Sequence, residues 1–153
     1  MSATTPPGDV TQRAAILGRL RELLGLQNER FRRYIIVLEK QTVLIGSGSG
    51  DDILALVEHE ERIVAEILSI QKTIDPLEKM YRGGDMAFPD DITALKTEHE
   101  DLVNRVKTTT ERNRCLLSAR LADIRAGINV LRLNPLRSQY HNVYAASLID
   151  VEG

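Results

Sequence analysis

Three histidines, one cysteine and two acid-rich clusters are the residues with which this chain could do chemistry. His59 stands in Glu58-His59-Glu60-Glu61 and His99 in Glu98-His99-Glu100-Asp101, so each imidazole has carboxylates beside it and could share a cation with them. A carboxylate-bridged di-metal centre in a helical bundle, however, needs a Glu three residues before the histidine. Leu56, Lys96 and Ser138 occupy that place for His59, His99 and His141. The clusters therefore read as solvated helix surface, and His99, which falls on an apolar phase, as an interior or seam histidine. Cys115 has no second cysteine to pair with and no local base to activate it. It reads as a buried or seam thiol, compatible with a reducing compartment and incompatible with a disulfide framework. Gly46-Ser-Gly-Ser-Gly50 lacks both the preceding strand and the lysine of a phosphate-binding loop. The expectation is a protein that is not an enzyme and that uses no metal or cofactor.

The elements that would position these residues are helices. Val10, Leu17, Leu24, Phe31, Leu38 and Ile45 recur every seven residues behind Asp9-Val10-Thr11-Gln12, an N-terminal capping pattern. Leu20 and Tyr34 fill intermediate positions, while Arg13, Gln27 and Gln41 interrupt, which reads as a narrow seam. The Gly/Ser run at 46–50 ends this segment as a flexible turn. A second stripe, Ile53, Leu56, Ile63, Ile67, Ile70, Ile74, Leu77 and Tyr81, is broken only at Glu60. Asp75-Pro76-Leu77-Glu78 inside it predicts a kink or the start of a short fourth helix. A third segment from Pro89-Asp90-Asp91 carries Ile92, Leu95, Leu102 and Val106. It then carries Leu117, Leu121, Ile124, Ile128 and Leu131 in a phase displaced by four residues. The displacement falls on Thr108–Asn113, the least securely helical stretch, and Asn134-Pro135 ends the helix. The predicted fold is all-α: an elongated antiparallel bundle or coiled coil of three long helices. Residues 1–8 form a disordered lead-in, 9–135 the bundle domain and 136–153 a tail.

Composition and charge agree with this reading. The chain has 153 residues, 42% of them hydrophobic and only 4% aromatic, so its interior must be aliphatic. It lacks a secretory leader, and no apolar run approaches the roughly 20 residues that span a bilayer, which predicts a cytoplasmic protein without membrane insertion. Net charge is +4 over residues 10–45, -7 over 51–112 and +4 over 113–138. Complementary flanks that pair the helices account for this layout. The other reading is a basic patch of Arg19, Arg21, Arg30, Arg32 and Arg33 for nucleic acid. Phe31 and Tyr34 belong to the seam and are not free to stack on bases, so no nucleic-acid partner is expected.

Interaction with another helix is what remains. An amphipathic partner laid against interrupted aliphatic seams would complete the bundle, and self-association would satisfy them equally well. Asn113-Arg114-Cys115-Leu116-Leu117 resembles the Asn-x-x-Leu-Leu that opens the final helix of FlgN-type flagellar export chaperones. The order of long helices, the acid-rich Leu/Ile heptads of Ile53–Glu78 and a short Tyr-bearing tail are also similar. The resemblance covers most of residues 10–145. It implies a cytoplasmic chaperone that binds the C-terminal helical segments of hook-associated (hook–filament junction) proteins, prevents their early assembly and delivers them to the flagellar type III export gate. By position it implies substrate binding through Leu117, Leu121, Ile124, Ile128 and Leu131. It implies docking on the export gate through Tyr144, with Tyr140 as the alternative. Another small helical secretion chaperone, a coiled-coil adaptor or a structural homodimer would share the same sequence pattern.

Overall fold

The computed structural model describes residues 7–83 and 86–132. Among them are three helices and no strand: α1 (Pro7–Ser47), α2 (Gly50–Arg82) and α3 (Asp90–Arg132). No helix among the described residues is long and apolar enough to cross a membrane. The all-α expectation is met.

The ends of the helices follow their local chemistry. The Gly48 amide donates to the Leu44 carbonyl at 2.6 Å and closes α1. A β-carbon on Gly48 would come within 2.8 Å of the Leu44 side chain and 3.0 Å of its carbonyl oxygen, so this turn requires glycine. Ser49 then caps α2: its hydroxyl accepts from the Asp52 amide at 3.2 Å and donates to the Asp52 carboxylate at 2.9 Å. The Gly/Ser run is thus a tight, capped corner. α2 runs unbroken through Pro76, and the predicted fourth helix does not form. Pro76 and Lys72, whose carbonyl loses its partner to the proline, are both exposed, so water can take up the lost bond. Ile74 and Leu77 pack on either side of it and hold the helix. α3 is likewise helical through Thr108–Asn113, where the sequence predicted the weakest helix.

The chain divides into two compact units. The first comprises Met1–Arg33 and Ile63–Asn104, the second Tyr34–Arg62 and Arg105–Gly153. In the first unit α2 runs antiparallel to α1, since Gln27 meets Gln71 and Arg30 meets Glu66. There α3 runs parallel to α1, since Arg21 meets Asp91 and Arg32 meets Glu98. The second unit has the same order: Tyr34 and Gln41 meet Glu60 of α2, while Glu39 and Thr42 meet Arg105 and Asn113 of α3.

The first unit is built around Ile16, Leu20, Leu23, Leu24, Ile74, Tyr81 and Ile92. Tyr81 stacks on Phe88 at 5.0 Å and donates its hydroxyl to the Ala87 carbonyl, closing the α2–α3 end. The narrow seam expected on α1 is in fact a broad face, because α1 packs against both other helices. Ile16, Leu23, Asn28, Ile35 and Val37 are buried beside the heptad positions, whereas Val10 is 58% exposed. The expected charge pairing is present in part: Arg30 pairs with Glu66 of α2 and Arg21 and Arg32 with Asp91 and Glu98 of α3, while the basic end of α3 has no such pair with α2 among the described residues. Arg19, Arg21, Arg30, Arg32 and Arg33 each pair with a carboxylate, so the basic patch is largely neutralised within the first unit. Such exposed pairs each contribute at most about 1 kcal/mol, so they select the helix register more than they stabilise the fold.

Candidate functional site

The second unit buries polar groups beside its apolar ones. Its apolar cluster is small, Ile45, Ile53 and Leu121, with Leu44, Val57, Leu117 and Ile124 partly buried against it. Asn113 is buried, donates to the Leu38 carbonyl at 2.8 Å and accepts from the Thr42 hydroxyl at 2.5 Å. It fastens α3 to α1. Glu60 accepts from the Tyr34 hydroxyl at 2.8 Å and from the Gln41 side-chain amide at 2.6 Å, fastening α2 to α1. Burial of Tyr34, reinforced by the Glu60 carboxylate, pushes its phenol well above the ordinary range.

Each of these hydrogen bonds has α1 as a partner, while α2 and α3 meet through the cluster that holds Ile53 and Leu121. Among the three helices lies an open cleft of about 610 Å³. Leu38, Gln41 and Ile45 of α1 form its floor, Ile53, Val57 and Glu60 of α2 one wall, and Thr110, Asn113, Arg114, Leu117 and Ser118 of α3 the other. A trough that mixes apolar side chains (Leu38, Ile45, Ile53, Val57, Leu117) with polar ones on the α3 wall can receive an amphipathic helix.

The residues implied by the resemblance are distributed unevenly over this unit. Leu117 lines the cleft and is half-buried. Ile124 is half-buried against the small apolar cluster, and Ile128 and Leu131 are half-buried further along α3. Leu121 is only 4% exposed and packs in the cluster with Ile45 and Ile53, so it is a core residue and offers no free binding surface. Tyr140 and Tyr144 lie outside the described residues. The Asn-x-x-Leu-Leu motif sits in the middle of α3 and not at a helix start, with Asn113 buried and Leu116 exposed.

The residues first considered for chemistry are scattered. Cys115 is exposed and not a seam thiol, because it falls on the side of α3 opposite Asn113 and Leu117. His59 is exposed. His99 is half-buried in the first unit, edge-on to Phe31 at 4.9 Å, with a buried Nδ1 that has no hydrogen-bond partner. Burial lowers its pKa, with Lys96 acting in the same sense and Glu100 against it. Among the described residues no group of three or more His, Cys, Asp or Glu could hold a metal ion.

What sequence reasoning missed is the cleft and its polar fasteners. The signal was present: Gln41 and Glu60 interrupt two otherwise regular stripes, and Asn113 sits at the phase displacement of α3. Read jointly, they mark one level of the bundle where three helices all turn polar.

No family model matches the chain, and no solved structure matches it. An uncharacterized protein of Treponema pallidum (strain Nichols) is 30% identical over 124 residues, which is 81% of this chain and 80% of that protein. An aligned stretch of that length takes in most of the helical bundle, and the chain belongs to the same family as this Treponema protein.

Proposed function

We propose that this protein is a cytoplasmic export chaperone that captures the C-terminal helical segments of flagellar hook-associated proteins and delivers them to the type III export gate. The observation that carries the reading is the open cleft of about 610 Å³ in the second unit, lined by residues of all three helices. The resemblance to FlgN-type chaperones supplies the identity of the partner. A chaperone of this kind must hold an assembly helix reversibly, so a shallow, partly polar trough is better suited than a deep apolar slot. Leu117 would be the principal apolar contact, with Ile124, Ile128 and Leu131 extending the surface along α3. Leu121 would support them from within, and Tyr144 or Tyr140 would engage the gate.

Titration of the full chain with C-terminal helical peptides of hook-associated proteins tests this directly. The expected result is saturable binding that Leu117→Asp removes while the helical circular dichroism signal persists. Leu121→Asp, by contrast, is expected to lower the unfolding midpoint, because it buries a charge. Failure of the wild-type chain to bind any of these peptides overturns the proposal.

A further inference from the structure

The helix edges that flank the cleft carry opposite charge, although of these edge charges only Arg114 lines the cleft itself. On α2, Leu54, Glu58 and Glu61 follow one another at helical spacing along the edge that also carries Val57, so this rim is acidic. On α3, Lys107, Arg114 and Arg125 are seven and eleven residues apart, close to whole numbers of helical turns, and Arg114 lines the cleft. This rim is basic. Arg105 lies on the other edge of α3, 3.9 Å from Glu39 of α1, and is not part of this rim. The rim charges are all exposed. Glu111 is the acidic exception on this rim, and its pair with Arg114 is long, at 3.8 Å, with both side chains about 70% exposed. A pair so loosely held leaves Arg114 free to change partners.

We infer that the occupant of this cleft is a helix from another protein whose apolar ridge is flanked by acidic residues on one side and basic residues on the other, and that the two rims fix the direction in which it lies. This rests on the proposed capture of a helical partner and adds its charge pattern. A helix in a groove presents one flank to each wall, and reversing its direction exchanges the flanks. With one rim acidic and the other basic, a single direction pairs both flanks and the opposite direction repels both. A helix with like charge on both flanks satisfies only one rim in either direction.

Three labelled peptides with the same apolar ridge test the inference by fluorescence anisotropy on the full chain: one with flanks of opposite charge, one all-acidic and one all-basic. The peptide with opposite flanks is expected to bind about tenfold more tightly than either other at low ionic strength, with the margin shrinking as salt is added. In the Glu58→Lys/Glu61→Lys variant, whose exposed substitutions leave the fold intact, the all-acidic peptide is expected to become the tightest. Equal affinities, or a ranking that the variant does not change, overturn the inference. If peptides from hook-associated proteins still bind in that case, the proposed function survives and only the charge pattern falls. If none of the peptides binds, both fall. A dimer of the unbound chain that persists in light scattering at saturating peptide hands the cleft to a second copy, and also overturns the inference.

Discussion

The two units use the same three helices in the same order and fill the space between them differently. In the first, Leu20, Leu24, Ile74, Ile92 and Tyr81 meet in a continuous apolar interior, and Tyr81 and Phe88 close the α2–α3 side. In the second, Asn113, Thr42, Gln41, Tyr34 and Glu60 join α2 and α3 to α1 through hydrogen bonds, and the apolar cluster of Ile45, Ile53 and Leu121 is small. Hydrogen bonds of this kind specify which helices pair but contribute only about 1 kcal/mol each, whereas a buried leucine contributes several times more. Both interiors bury polar side chains, Gln27 and Asn28 in the first unit and Gln41 and Asn113 in the second, so the units differ in the extent of the apolar cluster around them.

The sharpest way to break this comparison is to remove the same side chain from each interior. Leu20→Ala is expected to lower unfolding free energy by about 3–5 kcal/mol in urea titration, because Leu20 is fully buried among close neighbours. Leu121→Ala is expected to cost about 2–3 kcal/mol, since the open cleft beside it allows the site to collapse. Equal losses would mean that the second unit is as tightly packed as the first.

Asn113→Ala comes next. It removes the hydrogen bond from Asn113 to the Leu38 carbonyl and leaves the Thr42 hydroxyl with only that carbonyl as acceptor, at an expected cost of about 1–2 kcal/mol. Amide hydrogen exchange should show faster opening in 34–62 and 105–132, with the first unit unchanged. Uniform acceleration over both units would show that they open as one.

The stripes of α2 and α3 were legible in the sequence because helix periodicity is set by burial alone. Ile53, Ile63, Ile67, Ile74, Tyr81, Ile92, Leu102 and Leu121 are all buried as their spacing predicted. The breadth of the α1 face was not legible, since a heptad shows one seam and α1 meets two partners. Pro76 misled for a related reason: a cap pattern is local, and packing of Ile74 and Leu77 overrides it. The candidate site was the least legible part. Leu117 and Leu121 share one stripe, and the binding role that the resemblance implies for both fits Leu117, which lines the cleft, and not the buried Leu121. The cleft itself depends on polar residues from three helices, each of which alone reads as an interruption.

A smaller effect sharpens the role of Glu60 as a fastener. Tyr34→Phe leaves Glu60 with Gln41 as its partner and is expected to cost about 1 kcal/mol. In the wild-type chain the folded phenol should resist ionisation in an alkaline ultraviolet titration well beyond free tyrosine, so the associated stability is present below about pH 10 and lost as pH rises further. Ordinary titration of all four tyrosines in the folded chain would remove Glu60 from the fastening.

The smallest expected effect belongs to the first unit and concerns His99. Its imidazole lies against the Phe31 ring edge, its Nδ1 is buried without a partner, and burial holds its pKa below the ordinary value of 6.5. The folded state therefore favours the neutral ring, while the unfolded chain takes up a proton near pH 6.5. Stability contributed by this residue is present above pH 6.5 and declines as pH falls below it, until the folded form is protonated too. Partial exposure keeps the effect small, and Glu100 works against it. His99→Leu isolates the contribution: every other group is common to both proteins, so the difference between their urea midpoints over pH 7 to 5 reports His99. Wild type is expected to lose more stability on acidification than the variant, with faster hydrogen exchange confined to 7–33 and 63–104. Parallel pH profiles for the two proteins would mean that His99 is solvated like His59. The closed interior of the first unit would then end short of α3 at that level.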